Sequence, residues 1–187
     1  MTTNLVSGQR VYSPMGSTAN RQGRVIGTNI TGGDATHPGV VQTAVCKMFD
    51  WSLGAVGLSE RVAKQLGYDT VTAIVPGPDI THFMPGKKLI MTRLLADRAT
   101  GRILGVQIVG PGKVDKRIDT MVAAITFGVT AKQLANLDLS YAPPLSSAME
   151  NLTNAANVLQ NTIEDRRSEE HTSELQSLPN RGRPLEH

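Results

Sequence analysis

The sequence has 187 residues and a single cysteine, Cys46. One thiol excludes an internal disulfide framework and fits a reducing, cytoplasmic setting. Aromatic residues make up only 4% of the chain against 40% hydrophobic residues, so the core must be aliphatic and alanine-rich. No apolar run approaches the roughly 20 residues that cross a bilayer. The opening residues, Met1 to Arg10, lack the apolar segment of a secretory leader, so neither export nor a membrane partner is expected. The net charge is only +3, and no basic stripe interleaves with aromatics, which argues against a nucleic-acid partner. Cys46, His37 and His82 fit no compact ligand spacing. They are expected to be a buried structural cysteine and two loop histidines, with no metal.

What the chain does have is centred on residues 88–110. Leu89, Met91, Arg93 and Leu95 alternate with Ile90, Thr92, Leu94 and Ala96, the period of a strand. Residues 102–109 repeat the alternation. Between them lies Asp97-Arg98-Ala99-Thr100-Gly101, where Asp can close a turn and Gly can adopt positive φ. The pattern predicts an antiparallel hairpin. Both of its faces are largely apolar, and a bare hairpin is not stable in water. It must therefore sit inside a larger sheet with other layers packed on it.

The flanking sequence supplies those layers. No periodicity marks Thr2 to Ser13. Pro14 to Ile30 reads as a helix crowded with small residues, with Ala19, Gly23 and Gly27 on one face. Such a face permits close approach of another backbone or a flat ligand, and tight helix packing explains it equally well. Thr31 to Gly39 is a loop. Gln42 to Asp50 alternates as a strand, which Leu53 to Leu58 would continue after a bend at Gly54. Ser59 caps a short helix ended by Gly67. Asp69 to Val75 is a further strand, expected to stop at Pro76-Gly77-Pro78. Val114, Ile118, Met121, Val122 and Ile125 form one apolar helical stripe. Thr130 with Gln133, and Ser147 with Glu150, have the spacing of capping boxes. Residues 139–147 are expected to be extended because of Pro143 and Pro144. Leu152, Ala155, Ala156, Leu159 and Ile163 form the last stripe. Ser146 and Ser147 lack the base and the strand-turn setting of a nucleophile, and capping suffices for them. The whole reads as an α+β fold: an antiparallel sheet with helices packed on it.

Four ordered motifs carry a resemblance: GSTANRQGRV, then TAVCKMFDWSLGAVGLSE, then GRILGVQIVG followed by VDKRIDTMVAAI, and LDLSYAPPLSSAMENLTNAANV. From Ser13 to Ile163 the chain resembles the FAD-dependent pyridine nucleotide-disulfide oxidoreductases. The most similar branch holds NADH oxidases, NADH peroxidases and CoA-disulfide reductases. The resemblance implies that residues 1–39 are a remnant of the FAD-binding domain, including its last helix. It implies that residues 40–165 are the dimerisation domain, which pairs two subunits. Residues 166–187 resemble a translated sequencing adapter and a tag scar, and are expected to be non-native.

The resemblance also implies the site residues. Gly16, Ser17, Thr18 and Ala19 would contact the pyrimidine edge of FAD in the parent enzyme. Tyr141 matches a tyrosine that, in CoA-disulfide reductases, reaches the partner subunit's active site. A phenol there can donate a proton. Phe83-Met84-Pro85-Gly86 stands where the branch often has Tyr-Tyr-Pro-Gly, and Asn20 and Met149 stand at its CoA-handling histidine and lysine. These departures leave open whether the parent's substrate is CoA disulfide or oxygen.

No Gly-x-Gly-x-x-Gly occurs in the sequence, so the phosphate turns for FAD and for NAD(P)H are missing, and Cys46 is not at the redox position. The expected function is that of a homodimer-forming module of a truncated flavoenzyme, binding neither cofactor by itself. The apolar stripes and hairpin exceed what one small layer covers, and a two-fold pair is the default way to cover the remainder. The alternative is an enzyme with residual flavin-dependent NAD(P)H oxidoreductase activity.

Overall fold

A computed structural model describes residues 1–164. The expected adapter and tag tail, 166–187, lies outside the described residues.

The centre of the fold is the predicted hairpin. Strands β6 (Leu89–Asp97) and β7 (Ile103–Gly110) pair antiparallel, with a register shift at Leu95/Ala96. The turn closes as its residues suggest. Thr100 Oγ1 donates to Asp97 Oδ2 at 2.6 Å, the Gly101 amide donates to the Asp97 carbonyl at 2.8 Å, and Gly101 adopts φ +69°. Strands β3 (Ala44–Met48), β4 (Trp51–Gly57) and β5 (Thr70–Pro78) complete an antiparallel sheet of order β3-β4-β7-β6-β5.

Two expectations about these strands are corrected. The segment from 42 to 58 is two strands rather than one bent strand. It folds back at Phe49-Asp50, with Phe49 at φ +53°, and Ala44 to Met48 pair with Ala55 to Trp51. Gly54 is not a bend. It lies where helix α3 (Val114–Thr126) crosses β4, and a Cβ there would collide with the Ile118 side chain. Nor does β5 stop at Pro76. It runs through Pro78 because it is an edge strand, where a missing N–H removes no ladder bond.

Helices α3 and α5 (Asn151–Ile163) cover one face of the sheet, α3 over β4 and β7, α5 over β5 and β6. Val114, Ile118, Met121 and Ile125 point from α3 into the core; Leu152, Ala155, Ala156 and Leu159 do so from α5. They meet Ile90, Thr92 and Leu94 from β6 and Val106 and Ile108 from β7, all buried. Helix α4 (Ala131–Ala135) packs on α5 and begins with the predicted capping box of Thr130 and Gln133. Helix α2 (Glu60–Gln65) is capped by Ser59, as expected.

The N-terminal region is more ordered than its lack of periodicity suggests. Strands β1 (Thr2–Thr3) and β2 (Arg10–Val11) form a small antiparallel ribbon. Its pairs are too short to show a period in sequence. Helix α1 (Gly16–Ile30) follows, and Thr18 is its only buried residue.

Candidate functional site: the segment before the last helix

The 13-residue helix α3 places Arg117 beside its apolar stripe, and the residue is 1% exposed. A buried guanidinium needs an anion and further acceptors. Glu150, 3% exposed, accepts Arg117 Nε at 2.9 Å and Nη2 at 2.7 Å. Arg117 also donates to the Lys113 carbonyl at 2.6 Å and to the Asp79 carbonyl at 2.8 Å. Glu150 accepts the Asn151 amide at 2.9 Å, so the same carboxylate starts α5. The expected Ser147–Glu150 capping box does not form. Ser147 Oγ donates to the Met149 carbonyl instead, because Glu150 is the cap itself. Sequence reasoning missed this ion pair. The available signal was a charge next to an otherwise apolar stripe, at Arg117.

This clamp anchors the segment from Ser140 to Met149. Ser146 is fully buried and donates from Oγ to the Ser140 carbonyl at 2.7 Å, while its amide donates to Ala142 at 2.9 Å. The expected extended run is therefore a tight turn. Thr81 Oγ1 donates to the Ser146 carbonyl at 3.1 Å, and the Thr81 amide to Pro143 at 3.2 Å. Lys113 Nζ reaches the carbonyls of Pro144 and Leu145. Both serines thus serve structure, Ser146 by pinning the turn and Ser147 by bonding to Met149, and neither is the helix cap that the sequence suggests. The segment is held from three sides, yet Tyr141, Leu145 and Met149 project outward, 52%, 60% and 53% exposed, beside the loop that carries Phe83.

The predicted flavin-edge residues lie elsewhere. Gly16, Ser17 and Ala19 are exposed at the start of α1, and Thr18 is buried with its Oγ1 3.1 Å from Ser13 Oγ. Met15 gives no side-chain cap, and the first intrahelical bond is from the Ala19 amide to Met15, so the amides of Gly16, Ser17 and Thr18 precede the helical ladder. Ser17 and Thr18 line a cleft of about 330 Å3 with Arg21 and with Asp119, Val122 and Thr126 of α3. Tyr141 is not part of that cleft.

Cys46, expected to be buried, is exposed on β3. Edge strand β3 has no helix above it, which the strand's apolar sequence does not reveal. His37 Nδ1 accepts the Gly39 amide at 3.2 Å, and the His82 ring meets Phe83 edge-on at 5.4 Å. Among the described residues no three His, Cys, Asp or Glu side chains gather as a metal site.

With this geometry in place, the comparisons decide the family. The profile of the pyridine nucleotide-disulphide oxidoreductase dimerisation domain matches residues 43–153. The chain belongs to that family. The match runs from the start of β3 into α5 and so includes the whole sheet, the Arg117–Glu150 clamp and Tyr141. Within this oxidoreductase family, the chain is 38% identical over 158 residues to the NAD(P)H sulfur oxidoreductase (CoA-dependent) of Pyrococcus furiosus, covering 84% of the chain and 36% of that protein. It is 36% identical to the NADH oxidase of Methanocaldococcus jannaschii, covering 82% and 34%. The NAD-dependent persulfide reductase of A. fulgidus superposes with a TM-score of 0.86 at 46% identity, covering 88% of this chain and 31% of that one. The chain therefore spans about a third of the length of the relatives it matches. The dimerisation-domain family accounts for the five-stranded antiparallel sheet with its helices on one side.

Proposed function

We propose that this chain is the homodimerisation module of an FAD- and NAD(P)H-dependent oxidoreductase, and that residues 140–149 form its two-fold seam. One observation carries the reading. A buried ion pair, a buried serine and a lysine clamp all fix a segment whose own apolar side chains point away from the fold. Ordering a non-regular segment costs conformational entropy, and a fixed, outward apolar rim suits a surface that meets another subunit.

In the parent activity, FAD would supply the hydride-accepting chemistry that oxidises NAD(P)H. This chain's residues contribute at the edges. The free amides of Gly16, Ser17 and Thr18 fit a polar ring edge, as a helix N-terminus does for groups carrying negative charge. Tyr141 would cross the seam and offer its hydroxyl as a hydrogen-bond or proton donor to the partner's substrate. The phosphate turns that would hold FAD and NAD(P)H are not in this sequence, and this reading gives the module a pairing role rather than catalysis of its own. The family match supports a cytoplasmic setting, and among the described residues no helix is long and apolar enough to cross a membrane.

Sedimentation velocity tests this. The chain is expected to sediment as more than one copy, and Leu145→Lys with Met149→Lys is expected to reduce the species present, since it places like charges across the seam. A single copy at every concentration overturns the reading. Flavin absorbance together with NADH consumption would instead establish the enzymatic alternative.

A further inference from the structure

Helices α3 and α5 cover one face of the sheet, and the other face carries an open concavity of about 540 Å3. Cross-strand register lays out its floor as two rows. The first runs Ala44, Ala55, Gln107, Arg93 and Ile74, from β3 to β5. The second runs Cys46, Leu53, Val109 and Met91, without a charged or amide side chain. We propose that this concavity is a ligand site for a medium-chain fatty carboxylate, with the chain along the second row and the head at Arg93 and Gln107. None of residues 140–149 lines it, so the site stands apart from the Tyr141 seam.

The polar pair defines the head group. Arg93 and Gln107 are directly opposite one another on β6 and β7, in the middle of an otherwise apolar floor. Small-ligand sites have this composition, an apolar lining with a few polar groups that fix orientation. Arg93 Nη2 pairs with Glu60 at the start of α2, but Glu60 also holds Lys64 Nζ at 2.6 Å. Its carboxyl lies below the ordinary value, chiefly through Lys64, and is ionised near neutral pH. One carboxylate thus serves two cations, and one positive charge is left uncompensated. The Arg93 guanidinium has further N–H donors beyond the one given to Glu60. Gln107 is exposed and makes no hydrogen bond among the described residues. Spare donors beside an uncompensated positive charge are complementary to an anion, and a carboxylate accepts from a guanidinium in pairs.

The second row defines the tail. Its side chains stand on adjacent strands about 4.8 Å apart, so the row is about 14 Å long. An extended chain of about ten carbons, with bonds of about 1.5 Å, spans about 11 Å. It therefore reaches from Met91, next to Arg93 on the same face of β6, across Val109 and Leu53 towards Cys46. Covering these side chains removes apolar surface from water, which drives binding of the tail.

Trp51, the one tryptophan of the chain, stands on the same outer face two residues from Leu53 and is 51% exposed, so its emission reports the site. Titration of the full chain with decanoate, below its micelle range, tests the proposal against decyltrimethylammonium, which has the same tail and the opposite head charge. Decanoate is expected to shift Trp51 emission saturably at one ligand per chain and to bind at least about tenfold more tightly than the cation, the scale of a hydrogen bond to a charged group. Arg93→Gln is expected to weaken decanoate by about tenfold and to leave the cation unchanged. Met91→Glu, at a half-exposed position, is expected to abolish decanoate binding, with circular dichroism and Tm verifying the fold of both variants. No saturable shift, or equal affinity for the two head groups on the wild type, overturns the proposal whether or not the variants fold. Unchanged decanoate affinity in a folded Arg93→Gln overturns the assignment of the head. Trp51 emission that shifts with protein concentration alone, with decanoate affinity falling in step, gives the face to a second copy and overturns the ligand site.

Discussion

Arg117 of α3 and Glu150 at the start of α5 meet through two hydrogen bonds, at 2.9 and 2.7 Å, with both side chains buried. They tie the two helices of the covering layer together, and they fix the point from which the outward segment 140–149 departs. Removing one partner strands the other charge in the interior. Arg117→Ala is therefore expected to destabilise the fold by about 3–5 kcal/mol, while a joint apolar replacement, Arg117→Met with Glu150→Leu, costs much less. Urea unfolding of the wild type and the two variants measures this. Equal losses for the single and double variants would show that the pair is not coupled.

Gly54 sets how closely α3 approaches the sheet. Its missing Cβ is replaced by the Ile118 side chain. Gly54→Ala is expected to cost about 1–3 kcal/mol through overpacking, and Ile118→Ala, which removes the Cγ1 and Cδ1 atoms that a Cβ would meet, is expected to cost less beside Gly54→Ala than alone. Thermal unfolding of the single and double variants reads the outcome. Additive losses would place the strain elsewhere.

The carboxyl of Glu60 is held below its ordinary value near 4.5, chiefly by its hydrogen bond with Lys64 and also by the charges of Lys64 and Arg93. Its folded value lies below its unfolded value. Its contribution to stability is thus present above the ordinary carboxylate range and is lost as pH falls through the folded value. The Tm of the wild type should drop more steeply than that of Glu60→Gln on acidification below about pH 4.5. Parallel curves would remove Glu60 from the account.

Ser146 is the pin of the proposed seam. Ser146→Ala removes the hydrogen bond to the Ser140 carbonyl, a loss of about 0.5–1.5 kcal/mol in a typical case. Amide exchange should accelerate within residues 140–149 and stay unchanged in β6 and β7. Uniform acceleration would mean that the serine supports the global fold rather than the segment.

Local pattern alone determined the elements whose chemistry is contained in neighbouring residues. The β6–β7 hairpin follows from alternation and from the Asp97–Gly101 turn. The stripes of α3 and α5 follow from a 3.6-residue period, and the caps of α2 and α4 from Ser59 and Thr130. The family could be recognised for the same reason, since its motifs are ordered runs of sequence.

Tertiary structure alone decided which apolar strand positions are buried. Leu94 and Met91 look alike in sequence, but helices cover only one face, so one is buried and the other exposed. The same holds for Cys46, whose exposure depends on β3 lying at an edge, and for β5, which passes through two prolines because no strand lies beyond it. Arg117 and Glu150 are 33 positions apart. No local period links them, and only the crossing of α3 and α5 over the sheet brings the two charges within bonding distance.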